Sequence, residues 1–245
     1  MIPDELTQPL ALPTADALEL LRVGELSVEG RLVDASNATL YCAVSADGVS
    51  AACVYKPVAG ERPLWDFPDG LYRREVAAFV LSEALGWGIV PPTVERDDGP
   101  LGPGSLQLFV AADYEQHYFT LFDQGGHEEA LRRMCVFDIV ANNADRKSGH
   151  VLLGPDGRLW GIDHGLCFHR QSKLRTVIWD FADEPVPRPL LADLERTAAD
   201  LPDALAALLH DEECQAVVDR IHRLVHVRTL PEPLGDRPPY PWPLV

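Results

Sequence analysis

Apolar positions along this chain change their period partway, and the change predicts two structural units. Residues 1–13 are interrupted by proline and read as an arm. A short helix follows over 15–22, where Ala17, Leu18, Leu20 and Leu21 can face a core. From Gly24 onward, the runs 26–33, 38–45 and 49–57 alternate or stay apolar with β-branched residues, parted by Asp34-Ala35-Ser36-Asn37 and Ala46-Asp47-Gly48. Those turn signals between alternating runs predict three antiparallel strands. A loop rich in proline, tryptophan and glycine (58–70) leads to a predicted helix over 71–85, with Val76, Phe79, Val80 and Leu85 apolar and Gly86 as its stop. Two more strands are expected at 89–96 and 106–110, and 111–124 reads as a connection.

Beyond that connection the period becomes helical. Leu131, Met134, Cys135, Phe137 and Ile139 recur near 3.6 residues in a helix predicted over 128–142, a stripe that Asp138 alone interrupts. A small hairpin is expected from 151–153 and 159–162 around Gly154-Pro155-Asp156-Gly157, then helices at 190–196, 202–209 and 211–226. The predicted class is α+β in two lobes. An arm and helix (1–23) precede a β-rich N-lobe (24–110), a mainly helical C-lobe (111–230) and a proline-rich extended tail (231–245).

Charge narrows the partners. A formal net charge of -17 opposes any broad surface for nucleic acid or an anionic membrane, whereas a small polyanion can still bind where a metal and a few cations invert the local field. Five scattered cysteines without a Cys-x-x-Cys pair read as reduced core residues. No stretch approaches the roughly 20 apolar residues a membrane span needs, and no basic leader is present, so a cytoplasmic location without membrane insertion is expected.

The densest chemistry lies in Asn143-Ala144-Asp145-Arg146-Lys147-Ser148-Gly149-His150 and in Ile162-Asp163-His164-Gly165. The first ends a helix in a polar loop, and the second follows the hairpin, whose turn can bring the two carboxylates to one cleft. One can then act on a proton and the other on a cation. Asp145 is followed by two cations that favour its ionised form. Far upstream, Lys56 ends the third strand, and the next predicted helix carries two acids, Glu75 and Glu83, within about 80° of one face.

These segments resemble the catalytic loop of phosphatidylinositol 3- and 4-kinases, above all the type II 4-kinases. The likeness rests on Asn143-Ala144-Asp145-Arg146, on Ile162-Asp163-His164-Gly165-Leu166-Cys167-Phe168 and on Tyr55-Lys56-Pro57. The chain is also similar to an actinobacterial family of uncharacterised proteins named for that likeness. The resemblance implies a small protein-kinase-like fold that uses ATP with Mg2+ or Mn2+. In that scheme Asp145 acts at an acceptor hydroxyl and Asp163 holds the metal. Lys56 grips the phosphates and Glu75 holds Lys56, with Glu83 as the alternative partner.

Ser36 and Asn37 fall where a loop covers the phosphates, and Phe109 and Val110 where backbone groups bond adenine. His150 stands where such kinases place an asparagine that ligates metal. Three roles are open to it: metal ligand, phosphate donor or packing residue. A transition-metal site with His164 and His169 is a further alternative. The expected function is ATP-dependent phosphate transfer to an alcohol, on a small molecule or protein in preference to a membrane lipid. A pseudokinase that binds nucleotide without efficient catalysis, and AMP transfer in place of phosphate transfer, are the competing readings.

Overall fold

The computed structural model describes residues 12–32, 39–233 and 238–245. Helix α1 (Thr14–Val23) packs on a five-stranded antiparallel sheet of order β1-β2-β3-β5-β4. The strands are β1 (Glu25–Arg31), β2 (Leu40–Ala46), β3 (Val49–Pro57), β4 (Thr93–Gly99) and β5 (Gly102–Leu108). Alternation along β2 and β3 puts Cys42, Val44, Cys53 and Tyr55 on the face that α1 covers with Leu20 and Leu21, which makes the core of the N-lobe. Gly104 on β5 is needed for close packing: a Cβ there would stand 2.5 Å from the Lys56 carbonyl oxygen.

Helix α2 (Leu71–Leu85) follows a single 3-10 turn (Val58–Gly60) and the loop to Gly70. Its Ala77, Ala78, Phe79, Leu81 and Leu85 belong to the larger hydrophobic core of the C-lobe, so α2 is packed as much with the helices as with the sheet. That core is built on α3 (Tyr118–Gln124), α4 (Glu128–Ala141), the hairpin β6 (Val151–Leu153) with β7 (Leu159–Gly161), and α5 (Arg188–Ala199), α6 (Asp203–Ala206) and α7 (Asp211–Val227). Arg74 of α2 is buried against Glu213 of α7 and donates to the Cys167 carbonyl at 2.6 Å. The first half of α2 is thereby tied to the C-lobe.

The architecture is α+β with a β-rich N-lobe and a helical C-lobe, as the residue periods predict. Several local expectations differ: the strand expected at 106–110 ends at Leu108, and the helix expected at 202–209 covers only Asp203–Ala206. Residues 89–92 are not strand, because Pro91 and Pro92 supply no N–H to a ladder and β4 starts at Thr93. Residues 102–105 are strand, since β4 and β5 pair from Glu95 with Ser105 and close at Gly99 with Gly102. The connection 111–124 contains α3, whose Tyr118 is buried and donates its hydroxyl to Asp180 at 2.5 Å. The last described segment passes beside the loop that follows α4: the Leu244 carbonyl accepts the Ser148 N–H at 2.8 Å, and the Pro239 carbonyl accepts the Thr176 N–H at 3.0 Å. No helix among the described residues is long and apolar enough to cross a membrane.

Candidate active site

β3 aims Lys56 at the seam between the lobes. There its ammonium meets Glu75 of α2 and, at 2.9 Å, Asp163 from the loop after β7. Glu75 does more than hold Lys56: its carboxylate also accepts the backbone N–H groups of His164 at 2.9 Å and Gly165 at 3.1 Å. One buried carboxylate therefore joins sheet, helix and the Asp163 loop. Glu83, the alternative partner, lies exposed on the far half of α2. A helix face spanning two turns can point to one side yet reach only one neighbour, and the Asp163 loop reaches Glu75.

Charge in this cluster is balanced by pairing. Burial pulls the Lys56 ammonium down, but Asp163 and Glu75 outweigh it and raise its pKa. Lys56 in turn holds the Asp163 carboxyl well below the usual carboxylate range, so Asp163 is an anion at neutral pH. Its backbone takes the left-handed conformation (φ 60°), which a non-glycine residue adopts only where neighbours hold it there.

Asp145 sits in the loop that leaves α4. Asn142 caps that helix in the left-handed conformation (φ 54°), a position asparagine tolerates, and turns the chain toward the cleft. The Asn143 side chain then accepts the Asp145 N–H at 3.0 Å. Burial raises the Asp145 pKa, while Lys147, 3.3 Å away, pulls the other way. Arg146 does not assist, although adjacency in sequence suggests it. It turns fully inward, forks onto Asp138 at 2.9–3.1 Å, and donates to the carbonyls of His150 (3.2 Å) and Ile162 (2.9 Å). Sequence reasoning missed this hub, and its signal was present: Asp138 is a carboxylate on the apolar stripe of α4, and a buried charge demands a partner.

His150 places Nε2 3.3 Å from Asp163 Oδ2, and its Nδ1 accepts the Lys147 N–H at 3.4 Å. That pattern assigns the proton to Nε2, facing Asp163. Burial pulls the His150 pKa down to about 4, so the ring is neutral. The transition-metal alternative is not assembled. His164 is buried with Nε2 accepting from Arg146 at 2.8 Å, His169 lies with Phe67, and no group of three His, Cys, Asp or Glu among the described residues could hold a metal. Asp163 offers a half-exposed carboxylate, which suits a hard cation that takes its remaining ligands from phosphate oxygens and water; the imidazole beside it adds a lone pair only with its proton moved from Nε2 to Nδ1.

Phe109 and Val110 follow β5 and stay half-buried. The Phe109 N–H bonds the Ala52 carbonyl at 3.0 Å and the Val110 carbonyl accepts the Ala112 N–H at 2.9 Å. The Phe109 carbonyl and Val110 N–H remain without a partner among the described residues, one acceptor and one donor at the hinge between lobes. Ser36 and Asn37 lie outside the described residues.

A family model described as phosphatidylinositol 3- and 4-kinase matches residues 76–217, more than half of the chain. Protein Rv2133c of Mycobacterium tuberculosis is 42% identical over 266 residues, which cover 93% of this chain and 95% of that protein. Phosphatidylinositol 4-kinase gamma 4 of Oryza sativa is 28% identical over 176 residues, covering 57% of this chain but only 31% of the rice protein. In fold, the chain is similar to the Golgi casein kinase with Mn/ADP bound (TM-score 0.55, 16% identity, 95% of this chain and 80% of that one). It is also similar to hydra Fam20 with sugar (TM-score 0.56, 14% identity, 89% and 90%). At such identities these two structures speak to fold alone. A family match over more than half of its length decides the matter: the chain belongs to the phosphatidylinositol 3- and 4-kinase family.

Proposed function

We propose that this protein is an ATP-dependent phosphotransferase with an alcohol acceptor. The observation that carries the reading is the convergence of Lys56, Glu75 and Asp163 from three elements, with Asp145 in the adjoining loop. Lys56 is already held in place, so gripping a phosphate costs little side-chain entropy. Asp163 and His150 would hold Mg2+ or Mn2+, which neutralises charge on the phosphates. The Phe109 carbonyl and Val110 N–H would receive adenine. Asp145 accepts the acceptor's hydroxyl proton as its oxygen bonds the γ-phosphorus and ADP departs; burial, by raising its pKa, makes it a better base than an exposed aspartate.

The net charge of -17 favours a soluble small molecule or a protein side chain over a lipid in an anionic membrane. One observation supports a second reading, a nucleotide-binding pseudokinase: His150 presents its N–H, not a lone pair, to Asp163. Two measurements separate them, thermal stabilisation by Mg-ATP or Mn-ATP and release of labelled γ-phosphate to an acceptor pool. Asp145→Asn is expected to keep the stabilisation and to lose turnover by about 10²–10⁴-fold. Stabilisation that Asp163→Ala abolishes, with no transfer to any acceptor, establishes the pseudokinase. Unchanged turnover in Asp145→Asn removes Asp145 from the chemistry.

A further inference from the structure

Between the loop before α2, the segment after Phe168 and the start of α7 lies an open groove of about 910 Å³. That volume is near the top of the range for small-molecule clefts, about 300–1,000 Å³. Trp65 stands at its edge, 94% exposed, with the Lys173 ammonium 5.6 Å from its ring centroid. Phe67 and His169 form a second aromatic contact in the same lining, at 5.2 Å. The charged side chains there are already matched: Lys173 with Asp66 at 2.8 Å, Arg170 with Glu212, and Glu213 with Arg74. Such a lining offers aromatic faces and hydrogen-bonding groups without demanding charge from its occupant.

The groove is joined to the loop that carries Asp145. The Asn142 side chain, three residues before Asp145, donates to the carbonyls of His169 (2.8 Å) and Gln171 (2.7 Å) and accepts the Lys173 N–H (2.8 Å). Those bonds tie the groove floor to the loop that carries Asp145. Arg175, two residues beyond Lys173, bonds the same loop through its backbone N–H, which donates to the Asn143 carbonyl at 2.9 Å. Its guanidinium has no hydrogen bond or ion pair among the described residues and lies within electrostatic reach of both Asp66 and Asp145.

We infer that this groove binds a neutral saccharide that carries the acceptor hydroxyl, with one sugar ring stacked on Trp65 and the chain directed past Arg175 toward Asp145. A pyranose has an apolar C–H face and a rim of hydroxyls, which a flat exposed indole beside paired polar side chains complements. Its role as acceptor rests on the phosphotransferase reading, whereas its binding can be measured without ATP. Titration of the full chain with maltotriose, cellotriose and chitotriose, followed by tryptophan fluorescence and calorimetry, is expected to show saturable binding to at least one. Trp65→Ala is expected to weaken it on the order of tenfold and Trp65→Phe less, while Trp242→Ala, at another exposed tryptophan, changes nothing.

Mg-ATP stabilisation should be the same in Trp65→Ala as in the parent. No binding of any of the three sugars, or equal affinity in Trp65→Ala, overturns the assignment. So does a Trp65-dependent affinity confined to a lysine-rich peptide or to phosphatidylinositol vesicles. Sugar binding without phosphate transfer keeps the groove and removes the enzyme reading; transfer to another acceptor with no sugar binding does the reverse.

Discussion

Replacing Arg146 by methionine removes the cation that organises the Asp145 loop without touching the cleft surface. Arg146 and Asp138 are both fully buried. The substitution leaves Asp138 an uncompensated buried carboxylate and strips a donor from the carbonyls of His150 and Ile162 and from His164 Nε2. Breaking a buried pair this way costs about 3–5 kcal/mol. The structure argues for the lower end, because Asp138 keeps the Asn143 amide at 3.0 Å and the Thr176 hydroxyl at 3.2 Å. At about 3 kcal/mol, a chain of this size should melt about 6–12 °C lower.

Scanning calorimetry and a urea titration measure the loss, and Asp138→Asn in the same background is expected to recover about half of it by removing the stranded charge. Arg146→Lys should fall between, since an ammonium cannot fork onto a carboxylate and reach two carbonyls. A melting temperature within about 2 °C of the parent for Arg146→Met would refute the hub, because in a chain of this length so small a shift corresponds to less than about 1 kcal/mol. An additive further loss on adding Asp138→Asn would refute the stranded-charge explanation.

Three further outcomes concern the cleft. Glu75→Gln keeps shape but removes the charge that Lys56 and two loop N–H groups share, so Mg-ATP affinity should fall about 10–100-fold in a thermal-shift titration; an unchanged titration excludes the three-way junction. Lys147 lowers the Asp145 pKa that burial raises, and in the proposed mechanism Asp145 works as the deprotonated base, so activity is expected to fall as pH drops through that pKa. Lys147→Met must therefore move the acid limb of the kcat/KM profile to higher pH, and a shift to lower pH contradicts the assignment. His150→Asn should preserve or raise Mg2+-dependent turnover, since an amide oxygen is a harder donor than the imidazole; complete loss of turnover shows that His150 has a role of its own.

Much of this protein was legible in its residues because the deciding interactions are short-ranged. Strand β3 and helix α2 lie where alternation and the Gly86 stop predict them. The hairpin between Asp145 and Asp163 is set by Gly154-Pro155-Asp156-Gly157, a local turn. Helix α3 was not legible, for its aromatic run fits neither period cleanly and its anchor, Asp180, is 62 residues away. Tertiary packing also chose Glu75 over Glu83, joined Lys56 to Asp163 across 107 residues, and turned Arg146 from the cleft onto Asp138. Periodicity and turn chemistry are properties of neighbours in sequence, so the chain states them outright. Which buried charge meets which depends on the free energy of leaving water, and only the assembled lobes bring the competing partners within reach.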